Sequence, residues 1–372
     1  MLAIYLAFSL ISTGFRRIRS GMTNDMETPR RAGFRMPAEW EPHEATWLTW
    51  PRREGISFPG AYEPVPRVYA EFIRVLIEHE EVRINVWDSA MEEEIRQCLA
   101  LARVPLARVF FHHFPAYEPW CRDHGPIFLV RGAAAQRERA VVDWAYNAWG
   151  GKYPPFDLDD AVPQHVARLR GLRLFSPAVV MEGGSIDVNG CGSLLTTEAC
   201  LLNPNRNPSL SKRDIEMILG EYVGISQVLW LGDGIVGDDT DGHVDDLARF
   251  VSANTLVTVV EDDPADENYE LLRDNLDRLK GFRDLEGRPF RIVELPMPGR
   301  LERDGQRLPA SYANFYIANG VVVVPAFRQR NDSVAVDLLQ ACFPDRRVVG
   351  LDSTDLIWGL GSFHCISQQE PA

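Results

Sequence analysis

Five polar stretches recur along this chain at a loosely constant spacing, and that repetition constrains the fold more than any single motif does. They are PWCRDHGPIFLV from residue 119, MEGGSIDVNGCGSLLTT from 181, DDTDGHVDDLARFV from 238, SYANFYIANGVVVVP from 311 and GLGSFHCISQQ from 359. Asp123 and Glu182 are 59 residues apart, Glu182 and His243 are 61 apart, Asn314 follows after a further 71 and Cys365 after 51. Self-similarity at such a period points to modules arranged around an axis, each offering the same edge to the centre. Polar residues remote in sequence then converge in one pocket.

Between these stretches, apolar residues recur at helical spacing, as in Val68, Phe72, Val75 and Leu76, or Ile215, Ile218 and Leu219. Each predicted helix is followed by a short run with strand propensity: VRINVW, ARVFFHHF, LRLFS, ISQVLWL, FRIVEL and RRVVGL. The alternation predicts an α/β fold. With no linker rich in Gly, Ser or Pro to split it, residues 30–372 read as one domain.

Residues 1–29 read as an N-terminal extension, either disordered or a mis-called start, with Met22 or Met26 as the true first residue. Their apolar run of about 13 residues is too short for a spanning helix. It also lacks the basic residues and cleavage site of a signal peptide. A net charge of −14 speaks against a nucleic-acid surface and suits a cationic substrate, although acidity also serves plain solubility. Six cysteines without a C-x-x-C pair suggest reduced thiols and a cytoplasmic location, with no zinc-type spacing.

The chemistry concentrates in the five stretches. Asp123, preceded by Trp120 and Arg122, stands at a strand mouth, where an Asp can equally be a turn or capping residue. Glu182 stands before Gly183 and Gly184, which let backbone approach something closely or simply open a hairpin. His243 and Asp245 are two apart, so on a strand they would share a face. No second histidine has partner spacing, which places an organic acid/base role above a metal site. Cys365 can be a small buried hydrophobe or a nucleophile. If FHCIS is extended, His364 faces away from Cys365, and His243 becomes the candidate acid/base partner.

Carboxylates around a thiol raise its pKa, which does not suit attack on a neutral amide. They do suit a substrate that brings its own positive charge to the reacting carbon. A guanidinium is planar, cationic and matched to bidentate carboxylates. The sequence therefore points to guanidine chemistry.

The blocks RMPAEWEPHEATWLTWP, WCRDHGP, MEGGSIDVNG, LLNPNRNP, TDGHVDD and FHCISQQEP, in this order from about residue 35 to 371, resemble the agmatine deiminases of the bacterial-type peptidylarginine deiminase family. The resemblance implies a fivefold pseudosymmetric α/β propeller (pentein-type) with its active site on the axis. It implies hydrolysis of agmatine to N-carbamoylputrescine and ammonia in putrescine and polyamine synthesis, without metal or organic cofactor. By motif, Cys365 would be the nucleophile, His243 the general acid and base, and Asp123 and Asp245 the guanidinium clamps. Glu182 would be the fourth acidic residue, Trp120 a pocket wall, and Asp239 a partner for the distal amine. The chain departs from the family at GLGSFHC, where Leu360 stands in a run that is more often glycine.

Three other readings stay open. One is a deiminase for peptidyl-arginine or free arginine; the latter needs a cation for the α-carboxylate, and Arg206 and Arg328 cannot be assigned in or out of the pocket. Another is an amidinotransferase. The third is a non-catalytic binding module such as a ribosome-binding factor, which would have no reason to keep all five polar residues. The expected partner is a small cationic guanidine, not nucleic acid or membrane, and a homo-oligomer is compatible with the sequence.

Overall fold

In the computed structural model, which describes residues 27–133 and 136–372, each of the five polar stretches leads directly into the first strand of a small sheet. The readings of residues 1–21 lie outside the described residues. Four of the sheets share one recipe, in which an antiparallel pair is extended by a third strand parallel to the second. They are Ile127–Arg131, Glu138–Val142 and Arg173–Phe175; Asp187–Val188, Ser193–Thr197 and Gln227–Leu231; Ala248–Ser252, Thr255–Val260 and Arg291–Pro296; and Tyr316–Ile317, Val321–Ala326 and Arg347–Asp352.

The fifth sheet joins both ends of the described chain. Ser367–Pro371 pairs antiparallel with His43–Thr49, which runs parallel to Glu81–Asn85, itself parallel to Val109–His112. All six strand runs read from the sequence are present.

Parallel neighbours need a crossover, and in each sheet a helix supplies it. Val65–Leu76, Val162–Arg170, Lys212–Val223, Tyr269–Gly281 and Asp332–Cys342 lie between the second and third members of their repeats. Local chemistry sets their limits. Ser211 accepts from the Asp214 N–H while Asp214 returns a bond to the Ser211 N–H, a capping box. Gly224 (φ 73°) and Gly171 (φ 64°) end their helices in the left-handed region, where glycine carries no Cβ penalty.

The faces turned inward are the ones the periodicity marks. Tyr69, Phe72, Ile73 and Leu76 are fully buried on Val65–Leu76, each large side chain contributing about 2 kcal/mol. Val321–Val324 are buried without alternation, as befits a strand covered on both faces. Among the described residues, no helix is long and apolar enough to cross a membrane.

Candidate active site

Because each polar stretch precedes a first strand, the five arrive together at one place. Asp123 sits in a single helical turn, Cys121–His124, whose Arg122 N–H donates to the Cys365 carbonyl at 3.0 Å. Its carboxylate is held from two sides, by the Trp149 indole N–H on Oδ2 (2.9 Å) and the Gly184 N–H on Oδ1 (3.0 Å). Gly184 has no room for a side chain. A Cβ there would lie 2.6 Å from His243 Nδ1, 2.7 Å from Asp123 Oδ1 and 3.1 Å from Asp245 Oδ2.

Close approach of backbone therefore explains Gly184, and Gly183 likewise packs against the Arg122 carbonyl. Gly184→Ala should lower kcat/KM by about 10²-fold or more, since displacement near 1 Å of reacting groups has that effect. Kinetics beside a thermal melt check it. An unchanged rate would mean that these side chains need not converge.

His243 and Asp245 are not on a strand. His243 ends the loop 238–243, which is tied by Asp238 accepting from the N–H groups of Thr240, Gly242 and His243. Asp245 lies in the 3₁₀ turn Val244–Asp246, and the strand begins only at Ala248. Both still face the same centre. His243 Nδ1 is 3.6 Å from Asp123 Oδ1, and Nε2 is 3.8 Å from Glu182 Oε2. Neither ring nitrogen has a hydrogen-bond partner, nor do Glu182 Oε2 and Asp245 Oδ1.

Four buried polar atoms without a hydrogen-bond partner on three neighbouring site residues is a costly arrangement for a fold and a useful one for a cationic ligand.

Nor are His364 and Cys365 extended; they lie in the turn before the last strand. Asn314 clamps that turn, its Oδ1 accepting from the N–H groups of His364 (3.2 Å) and Cys365 (3.3 Å). Its Nδ2 donates to Cys365 Sγ (2.9 Å) and to Asp246 Oδ1 (3.0 Å). Cys365 Sγ is 3.7 Å from Asp245 Oδ2. The His364 ring is bonded at both nitrogens, to Asp245 and to Glu39.

A cleft of about 670 Å³ opens over this centre, lined by Cys365, Asp123, Trp120, Trp149, Tyr153 and Asp239 among others. Glu182, His243 and Asp245 lie directly behind that surface. The Trp120 indole N–H donates to Ser57 Oγ (2.8 Å), fixing the ring as a wall. Asp239 accepts from the Tyr153 hydroxyl and lines the same cleft.

Arg206 is buried beneath, donating to Glu182 Oε1 (2.7 Å) and Asp241, and Arg328 is an exposed partner of Asp352. Neither lines the cleft. Arg303 and Arg307 do, at its rim. Arg307 is paired with Asp266 (2.6 Å), and Arg303 stacks 3.8 Å over Trp358.

Leu360 adopts φ 73°, the conformation a glycine would take without strain. Its neighbours are glycines for another reason: a Cβ at 359 would press on Phe58, and one at 361 on Trp120.

The electrostatics follow from burial and charge. Burial, then Asp245, Asp246 and Asp123, push the Cys365 thiol well above its ordinary range. Burial pulls His243 down, but Asp123, Cys200 and Glu182 outweigh it and hold the imidazole well above its usual value. Asp123 is raised to about 6, chiefly by burial and partly relieved by His243. Burial opposes ionisation of Glu182, yet His243 and Arg206 keep its carboxylate below normal.

Sequence reasoning singles out Cys365, His243, Asp245, Asp123, Glu182, Trp120 and Asp239, and the structure brings all seven to this cleft or directly behind it. It misses Asn314 as a contact of the thiol, Trp149 as a donor to Asp123, and Glu39. Asn314 enters the sequence pattern only as one of the five recurrences.

An α/β fold with a thiol among carboxylates defines a guanidine-modifying type of enzyme site, and similarity narrows the class. Agmatine deiminase of Pseudomonas aeruginosa (strain LESB58) is 37% identical over 374 residues, spanning 94% of this chain and 99% of its own. The solved agmatine deiminase of Enterococcus faecalis superposes with a TM-score of 0.87 at 34% identity, covering 93% of this chain and 98% of that one. A Cys-to-Ser variant of the C. jejuni agmatine deiminase with substrate bound gives 0.83 at 31% identity, covering 91% and 96%. The Porphyromonas-type peptidyl-arginine deiminase family matches residues 35–371, and the chain belongs to that family.

Proposed function

We propose that this protein is an agmatine deiminase, hydrolysing agmatine to N-carbamoylputrescine and ammonia through a covalent adduct on Cys365. The observation that carries it is the buried Cys365 thiol beside a cluster of carboxylates with open oxygens, Glu182 Oε2 and Asp245 Oδ1. A neutral substrate would gain nothing from them. A guanidinium gains charge-assisted hydrogen bonds and, in return, offsets the carboxylates that hold the thiol protonated.

In this reading Asp123 and Asp245 grip the guanidinium, and Glu182 sits beside it and His243. With the guanidinium bound, Cys365 gives up its proton to solvent, and the thiolate attacks the guanidinium carbon, forming C–S. Protonated His243 gives its proton to the departing nitrogen, C–N breaks, and ammonia leaves a thiouronium adduct. Neutral His243 then takes a proton from water, whose oxygen attacks the same carbon. C–S breaks, the new hydroxyl passes its remaining proton to solvent as C=O forms, and the ureido product leaves with the thiolate restored.

Trp120 forms a wall and Asp239 meets the distal amine. The reading takes residues 30–372 as one catalytic domain, a fivefold pseudosymmetric propeller whose five sheet repeats each contribute one polar stretch, working in the cytoplasm without metal or organic cofactor.

Free arginine fits less well. Its α-carboxylate needs an available cation, whereas Arg307 is committed to Asp266 and Arg303 to Trp358 and the Pro59 carbonyl. Ammonia and ureido-product release, measured with agmatine, arginine and a blocked arginine peptide side by side, should show agmatine preferred by at least about 10²-fold in kcat/KM. Preference for the peptide would reassign the substrate and keep the chemistry. Turnover of none would sink the proposal.

A further inference from the structure

The residue beside the nucleophile has no role in that chemistry, yet it is among the most tightly bonded side chains in the site. His364 is buried, with Nδ1 at 2.6 Å from Asp245 Oδ2 and Nε2 at 2.8 Å from Glu39 Oε2. A neutral imidazole has one N–H, and an ionised carboxylate only accepts, so a neutral ring cannot satisfy both contacts with ionised partners. Glu39 is firmly ionised, because its Oε2 also accepts from Arg249 (2.8 Å) and lies 3.4 Å from Arg122, while Oε1 accepts from the Ile317 N–H.

Charge count agrees with the geometry. Arg249 reaches Asp187 as well (3.2 Å), so the buried cations Arg122 and Arg249 are shared between Glu39 and Asp187, and among the described residues the ion pair of Asp245 is with His364. A charged His364 evens the balance.

We infer that His364 is a positioning residue: an imidazolium strung between Glu39 and Asp245, which pins Asp245 Oδ2 and leaves Oδ1 free to meet the guanidinium. This rests on the guanidine-deiminase reading above. It gives a reason for an imidazole next to a thiol that it does not touch. Asp245 is packed among groups of both signs. Besides His364 it faces His243, with Arg249 farther off, which favour its carboxylate, while burial and the neighbouring Asp123 and Asp246 oppose it, and Cys365 Sγ lies 3.7 Å away. Burial alone would favour its protonated form, and the hydrogen bond and charge of His364 bring it below the ordinary carboxylate range.

The sign of the pH effect follows. Without the cation the pKa of Asp245 rises, and activity that needs its carboxylate is lost at a higher pH as acid is added.

Two measurements test this. In the wild-type protein with ¹⁵N-labelled histidine, both ring nitrogens of His364 should show protonated shifts at pH 7. In His364→Asn, which keeps a donor but no charge, KM for agmatine should rise at least about tenfold at pH 7. The acid limb of kcat/KM should also move up by about one pH unit or more. A merely structural loss would lower the rate equally at every pH.

An unprotonated ring nitrogen at pH 7, or an acid limb left in place, would each overturn the inference. If the variant fails to fold, the wild-type nitrogen shifts still decide. If the wild type does not turn over agmatine, the functional reading fails instead, and the nitrogen shifts still decide separately whether His364 is charged.

Discussion

Cys365→Ala should fold, bind agmatine and release no measurable ammonia, with kcat reduced at least about 10⁴-fold. The size of the effect comes from the absence of any substitute. The other side chains at the cleft floor are carboxylates, an amide, indoles and the His243 imidazole, none of which forms a stable adduct at a guanidinium carbon. The nearby Cys200 thiol lies against His243 and Glu182 without lining the cleft. The fold should survive because Sγ makes few contacts that a methyl group lacks: one from Asn314 Nδ2 at 2.9 Å and one toward Asp245 at 3.7 Å.

The same thiol offers a check without substrate. Burial and the surrounding carboxylates hold it well above its ordinary pKa, so a neutral haloacetamide should label Cys365 slowly near pH 7 and faster as pH rises. Ammonia release by the alanine variant within tenfold of wild type would remove the nucleophile from the proposal.

His243→Gln should lower kcat at least about 10³-fold, the upper part of the range for general acid–base catalysis, because in the proposed mechanism one imidazole serves both half-reactions. The free enzyme already holds it in the state the first step needs. Asp123, Cys200 and Glu182 outweigh burial and keep the ring protonated near neutrality. A glutamine is close in size and can donate one hydrogen bond, but it can neither surrender a proton to the leaving nitrogen nor take one from water. Rapid quench followed by intact mass should show whether any adduct that forms fails to hydrolyse. A kcat within tenfold of wild type would transfer the acid/base role to another group.

Much of the fold and the site is legible in the sequence. Helix Val65–Leu76 and the strands Gln227–Leu231 and Arg347–Asp352 follow from periodicity, since their apolar positions face a core on one side or both. The five polar stretches are legible because each must precede a first strand. What the sequence misleads on is local: the apolar LARFV run suggests strand geometry for His243 and Asp245, but that strand starts at Ala248, after a 3₁₀ turn.

The other gap has a different cause. Glu39 meets His364 across 325 residues of sequence, Trp149 meets Asp123 across 26, and Asn314 meets Cys365 across 51. No period or spacing encodes a hydrogen bond made only by tertiary packing. The proposed nucleophile and clamps are visible in sequence within the recurring polar stretches, whereas the groups that hold them resemble any other Glu, Trp or Asn.

The pairing of Ser367–Pro371 with His43–Thr49 has a consequence in time. A ribosome makes the first of these strands more than 300 residues before its partner, and Cys365 emerges just ahead of that partner. During synthesis the site carboxylates and His243 exist on a chain that still lacks Cys365, and one sheet is still missing an edge. On the proposed mechanism a chain released before residue 365 lacks the nucleophile, so a translation error of that kind yields protein without deiminase activity rather than an enzyme that traps substrate as a dead-end adduct.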